Sequence, residues 1–217
     1  MIRIAIVDDH DLVREGIRAI LEQDTSFEVV GETGDGQEAI RMANRLRPDV
    51  LLMDVHLPGG IGGLEATETI VADCPEVKVI ILTQYENREY IRRAIRIGAR
   101  GYLLKRSVAA QLKEAIKTVY AGQRYLHPAV ADELVDLLTT GKSLEEDDYD
   151  RLTPREKQVL KLLAEGKTSR DISKYLTISL KTAMTHRANV MAKLNAHSRA
   201  ELIRYAIRKA IIPVDEP

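Results

Sequence analysis

The chain has 217 residues, 45% hydrophobic and 30% charged, with one cysteine and a formal net charge of −1 at pH 7. That length accommodates one or two globular domains with sizeable cores, and a single thiol excludes an intrachain disulfide. No stretch approaches the roughly 20 apolar residues that span a bilayer, so a cytoplasmic protein without membrane contact is expected.

The near-neutral total hides an asymmetry. Residues 1–120 carry 16 basic against 19 acidic side chains, residues 121–150 carry 2 against 8, and residues 151–217 carry 14 against 6. A basic end beside acidic neighbours fits a polyanion-binding module or a solvated helical surface.

In chain order, short apolar runs at Ile2–Val7, Phe27–Val30, Val50–Met53, Val77–Leu82 and Tyr102–Leu104 predict five strands. Helical stripes lie after each strand: Leu12 to Leu21, Ala39 to Leu46, Leu64 to Val71, Ile91 to Ile97 and Leu112 to Val119. Continuous apolar strands separated by amphipathic helices predict a doubly wound α/β domain over 1–122, with a five-stranded parallel sheet. Residues 123–150 break the rhythm. A short helix, Pro128 to Leu138, leads into the acidic run Glu145 to Asp148, and the segment reads as a linker.

From 151 to 217 the signals are helical only. Thr153-Pro154-Arg155-Glu156 is a dense start signal, Thr168 with Asp171 a second, and Ser179 and Ser198 open two more helices, ending near Leu194 and Ala210. A short helix, a tight turn and a longer helix predict an all-α, four-helix module of helix-turn-helix type.

Asp8, Asp9, Asp54, Thr83 and Lys105 each fall at or just past the carboxyl end of a strand. Taken singly, each is an ordinary strand-end residue. Together they gather where ligands collect in this fold class. Asp8, Asp9 and Asp54, with the backbone carbonyl of His56, suit Mg2+, which takes oxygen ligands and keeps several waters. Asp54 is then placed to attack a phosphoryl donor, with Thr83 and Lys105 holding phosphoryl oxygens.

Val-Asp-Asp-His at 7–10, Leu-Met-Asp-Val-His-Leu-Pro-Gly at 52–59, Ile-Leu-Thr at 81–83 and Gly-Ala-Arg-Gly-Tyr-Leu-Leu-Lys at 98–105 resemble a response-regulator receiver domain. Leu152-Thr-Pro-Arg-Glu with Thr182 to Leu194 resembles the LuxR-type module of the NarL/FixJ family. The resemblance implies a flavodoxin-like receiver, phosphorylation of Asp54 by a sensor histidine kinase, Mg2+ on Asp8 and Asp9, a Thr83–Tyr102 switch pair, and a phosphoryl contact from Lys105. Tyr102 is expected to turn inward as Thr83 moves toward the phosphate. The receiver would catalyse only its own phosphorylation and dephosphorylation, so the chain is expected to be a regulator and not an enzyme.

Three features depart from the family pattern. The glycine loop 59–63 is one residue longer, Gln84 stands where a small residue is common, and Arg106 replaces the proline that usually follows the lysine.

For the third C-terminal helix, Ala183, the Arg187 stem, Val190 and Leu194 form the expected core side. The resemblance implies that Met184, Thr185 and Ala188 face base edges. Met184 stands where a lysine is usual, and methionine and alanine can touch a thymine methyl but cannot hydrogen-bond a guanine. Lys181, Thr182, Arg187, Asn189 and Lys193 are expected on phosphates. His186 fits either a packing role or a DNA contact. On the fourth helix, Leu202, Ile203, Ala206 and Ile207 are expected to supply a homodimer interface, formed on phosphorylation or on double-stranded DNA. A contact with RNA polymerase stays open. The competing reading is a phosphorylation-controlled protein-binding switch with weakened DNA affinity. A nucleotide- or flavin-binding enzyme fits poorly, because the glycines lack G-x-G-x-x-G spacing and there is no P-loop.

Overall fold

A computed structural model describes residues 1–84, 88–126, 148–149, 151–209 and 211–212. They form two compact units, each with its own apolar core. Among the described residues, no helix is long and apolar enough to cross a membrane.

The first unit alternates β1 (Ile2–Val7), α1 (Asp11–Glu22), β2 (Phe27–Thr33), α2 (Gly36–Leu46), β3 (Val50–Asp54), α3 (Gly63–Asp73), β4 (Lys78–Thr83), α4 (Arg88–Arg96), β5 (Gly101–Leu104), α5 (Val108–Tyr120) and β6 (Tyr125–Leu126). All strand pairs are parallel, in the order β2-β1-β3-β4-β5-β6. Every residue of β3 and β5 is buried, as the unbroken apolar runs require of a sheet covered on both faces. Ile4, Ile6, Leu52, Ile80 and Leu82 pack against Ile17 and Leu21 of α1 and Leu112 and Ile116 of α5.

Beyond one-residue shifts at the ends of β3, β4 and β5, two features of the sheet differ from expectation. Beta-2 runs on through Gly31 to Thr33, because a Cβ at Gly31 would lie 2.7 Å from the Met42 sulfur and the bare backbone lets α2 close down. The sheet also gains a sixth strand inside the expected linker. Tyr125 and Leu126 pair with Gly101 and Tyr102, and the Tyr125 amide donates to the Arg100 carbonyl at 3.0 Å. The expected helix at 128–138 and the acidic run at 145–148 lie, apart from Asp148, outside the described residues. Cys74 caps the end of α3 and is buried, with its thiol donating to Asn44 Oδ1 at 3.4 Å. Burial pushes that thiol's pKa up.

The second unit holds α6 (Pro154–Ala164), α7 (Ser169–Tyr175), α8 (Leu180–Lys193) and α9 (Arg199–Arg208). The caps are those the sequence announces. Thr153 and Glu156 form a complete capping box, as do Thr168 and Asp171, while the Ser179 and Ser198 hydroxyls accept from the amides of Thr182 and Glu201. The first three of these helices end alike, on a left-handed residue that turns the chain back: Gly166 (φ 96°), Thr177 (φ 51°) and Asn195 (φ 48°). The amide following each returns to the helix, Lys167 to Leu162, Ile178 to Ser173 and Ala196 to Met191, each at 2.9 Å. Leu160, Leu163, Ile172, Val190, Leu202 and Ala206 belong to the core between the four helices.

Candidate functional site

Strand register builds the first site. Beta-1 and β3 are neighbours at the point where strand order reverses, and Val7 pairs with Met53, so Asp8 and Asp54 leave the sheet side by side. Leu82 pairs with Asp54 and Leu104 with Thr83, which brings Thr83 and Lys105 to the same edge. The Lys105 ammonium reaches Asp8 Oδ2 at 2.7 Å and Asp54 Oδ2 at 2.9 Å. The other Asp54 oxygen, Oδ1, accepts from the His56 amide at 3.3 Å.

Asp8 and Asp54 are 0% and 3% exposed. Burial pushes the Asp54 pKa up to about 6; Lys105 opposes the rise and the neighbouring Asp8 adds to it. For Lys105, burial disfavours the charge but the two carboxylates outweigh it, raising its pKa. Asp8, Asp9, His10 and Asp54 each present a donor atom, all within 4.8 Å of one another, an arrangement that can hold a cation. The arrangement can therefore gather a divalent ion and a phosphoryl group over one buried carboxylate.

The wall of the site is tight. A Cβ on Gly63 would lie 1.7 Å from the Asp54 carbonyl oxygen, and the Gly63 amide donates to the Val55 carbonyl at 3.0 Å. Alpha-3 thus starts directly against the strand that carries Asp54. The His56 ring meets Tyr90 of α4 edge to face, with centroids 5.1 Å apart.

Tyr102 pairs with Ile81, two residues before Thr83, so it lies on the same sheet face as Thr83. Its ring is 1% exposed and its hydroxyl is hydrogen-bonded to the Thr83 side chain. Burial raises the phenol pKa. The ring that the resemblance expects to turn inward as Thr83 moves is already inside in this structure.

In the second unit, α8 turns Lys181, Thr182, Met184, Thr185, Arg187, Ala188 and Asn189 to solvent, Met184 with 57% exposure. Ala183 and Val190 are buried, and Leu194 closes the stripe. Arg187 is exposed and His186 takes the half-buried place expected for the Arg187 stem, because both residues lie within one step of the stripe. Lys193, also exposed, has partners within the unit. Its ammonium donates to Glu156 Oε2 at 2.6 Å and to the Arg151 carbonyl at 3.1 Å.

The matches to known proteins cover both units. Residues 4–117 match the family of response regulator receiver domains, and residues 150–206 match the luxR family of bacterial regulatory proteins. The oxygen regulatory protein NreC of Staphylococcus carnosus is 39% identical over 214 residues, which cover 97% of this chain and 99% of that protein. The chain is a DNA-binding response regulator of the luxR family. Two solved structures are also similar. One is RcsB from Salmonella enterica serovar Typhimurium bound to promoter rprA in the presence of the phosphomimetic BeF3-, with TM-score 0.60 and 28% identity over 94% of this chain and 97% of that one. The other contains two RcsB dimers bound to two parallel DNAs, with TM-score 0.59 and 28% identity over 95% and 98%.

Within this response regulator the expected residues divide clearly. Asp8, Asp54, Thr83, Tyr102 and Lys105 converge on one sheet edge, with Asp9 at its exposed rim. The expected dimer strip does not stay whole. Leu202 and Ala206 are 1% and 0% exposed within the unit's own core, and only Ile203 and Ile207 remain half-exposed. Two participants escaped the sequence reading. His10 sits beside the carboxylates, signalled only by its place after Asp9, and the Glu156–Lys193 pair joins residues 37 apart, with no local signal at all.

Proposed function

We propose that this response regulator takes a phosphoryl group from a sensor histidine kinase on Asp54 and that the mark controls dimerisation and transcription from its DNA sites. The observation that carries the reading is the pairing of one lysine with two buried carboxylates at the strand-order reversal. Asp8, Asp9 and Asp54, with the His56 carbonyl, suit Mg2+, because the donors are oxygens around a charge-dense pocket. When bound, that ion offsets the repulsion between an incoming phosphate and the carboxylates.

The ionised Asp54 attacks phosphorus in line with the leaving group. The amide at His56 orients the carboxylate, and the Lys105 ammonium exchanges one carboxylate for a phosphoryl oxygen. Thr83 supplies a hydroxyl to a second oxygen, giving up its bond to Tyr102. The chain's own catalysis ends with this transfer and with hydrolysis of the acyl phosphate, in which water takes the phosphoryl group as inorganic phosphate and the Asp54 carboxylate is restored.

On the DNA side, Met184, Thr185 and Ala188 face base edges while Lys181, Thr182, Arg187 and Asn189 hold phosphates. Lys193 leaves that set because Glu156 already holds it. Half-exposed Ile203 and Ile207 support a narrow strip for a second copy, and the RcsB dimers on DNA are consistent with paired modules. The domain division proposed is 1–122, 123–150 and 151–217, with the sheet extended by residues 125–126.

Incubation with acetyl phosphate and Mg2+ should add about 80 Da, one phosphoryl group, to the wild type and nothing to Asp54→Asn. Selection of bound genomic fragments should recover a preferred sequence with two half-sites only from the phosphorylated wild type. Equal uptake by the Asn variant, or no duplex retained in either state, overturns the proposal.

A further inference from the structure

His10 is the N-cap of α1, yet its side chain makes no capping hydrogen bond. The imidazole points instead at the carboxylates, with Nδ1 at 2.7 Å from Asp9 Oδ1 and 3.3 Å from Asp8 Oδ1. The carboxylate oxygens also divide into two sets. Lys105 takes Oδ2 of both Asp8 and Asp54, whereas Oδ1 of Asp8 faces His10 and Oδ1 of Asp54 faces the His56 amide.

We infer that His10 is a selectivity ligand of this cation site: its Nδ1 adds a nitrogen donor to Asp8, Asp9 and Asp54, so that a late transition ion such as Co2+ or Zn2+ binds there more tightly than oxygen donors alone would hold it. This rests on the reading of those carboxylates as a cation site. With metal–ligand bonds of about 2.1 Å, adjacent donors in one coordination sphere lie about 3.0 Å apart and opposite ones about 4.2 Å. The His10 distances bracket the first value, and the 4.8 Å limit on the whole set needs only a small contraction to reach the second. The side chain is 60% exposed, so the ring has room to make that adjustment. To ligate, the neutral ring carries its proton on Nε2 and gives up its contact with Asp9. Imidazole suits zinc, copper and nickel, whereas Mg2+ favours oxygen and retained water, so the same side chain discriminates between ion classes.

The test is a titration of the full chain with Co2+, followed by visible absorption, in the wild type, His10→Asn and Asp8→Asn, with Mg2+ affinity measured by competition. His10→Asn should weaken Co2+ by about tenfold or more, the loss that even an outer-shell partner's removal can bring. It should also shift the absorption maximum and remove the hyperfine-shifted imidazole proton resonance that the inference expects in the wild type. Mg2+ affinity should fall far less. If His10→Asn keeps the wild-type Co2+ affinity and spectrum while Asp8→Asn loses them, this inference is wrong and the carboxylate site stands. If Asp8→Asn also binds Co2+ as the wild type does, the ion lies elsewhere and both readings fail.

Discussion

Asp54 and Gly63 show how much one residue decides. A carboxyl raised from the ordinary value of 3.8 to about 6 binds its proton more tightly in the folded chain than in the unfolded one. Stability from this group is therefore present at acid pH and declines as pH rises from about 4 to about 6, by up to about 3 kcal/mol for two pKa units. Asp54→Asn should accordingly be more stable than the wild type in urea melts at pH 7.5, with the difference closing near pH 4. A gain that does not depend on pH would contradict the charge explanation. The same proton competes with phosphoryl uptake, so labelling by acetyl phosphate should fall as pH drops through 6. Gly63 acts by space alone. Gly63→Ala drives a methyl into the Asp54 carbonyl, with backbone on both sides, and should cost about 1–3 kcal/mol and slow phosphoryl uptake. A variant with wild-type stability and labelling rate would show that the contact relaxes freely.

Elements were legible in proportion to how local their signals are. Thr153-Pro154-Arg155-Glu156 announces a helix start within four residues, and the capping box is there. Beta-2 was underestimated because an edge strand with Gly31 and Glu32 has no continuous apolar run to read. The core stripe of α8 was misassigned by one residue for a related reason. Positions 183, 186, 190 and 194 and positions 183, 187, 190 and 194 both satisfy helical spacing, and neither His186 nor Arg187 is apolar enough to break the tie. The left-handed Thr177 was invisible, since a β-branched residue is a poor choice for that conformation. Thr177→Gly should relieve it and stabilise the C-terminal unit by about 1 kcal/mol, seen as a higher melting temperature of the full chain's C-terminal transition. A lower one would mean that the threonine side chain holds the turn.

At the scale of the molecule, the receiver's edge and the helical unit's exposed face carry two separate chemistries. The convergence of Asp8, Asp54 and Lys105 was readable because a parallel sheet sends every strand end to one edge. The pairing of Lys193 with Glu156 was not, because the two are distant in sequence. The α8 face carries the cations Lys181 and Arg187 around the apolar Met184 and Ala188. Met184→Lys should tighten DNA binding and steepen the slope of log affinity against log salt by about 1 per subunit. It should also move the preferred sequence toward guanine-containing steps. An unchanged slope would place residue 184 away from the duplex.

Cys74 offers an experimental opening. Because the lone thiol is buried at the end of α3 with its ionisation suppressed, the unaltered polypeptide should be silent toward maleimide dyes under native conditions. A cysteine introduced at the solvent-facing Ala192, outside the residues set against the duplex, would then carry a fluorophore at a single defined address, without first engineering the background away. Such a reporter could follow engagement of a duplex in real time as the regulator gains and loses its phosphoryl group.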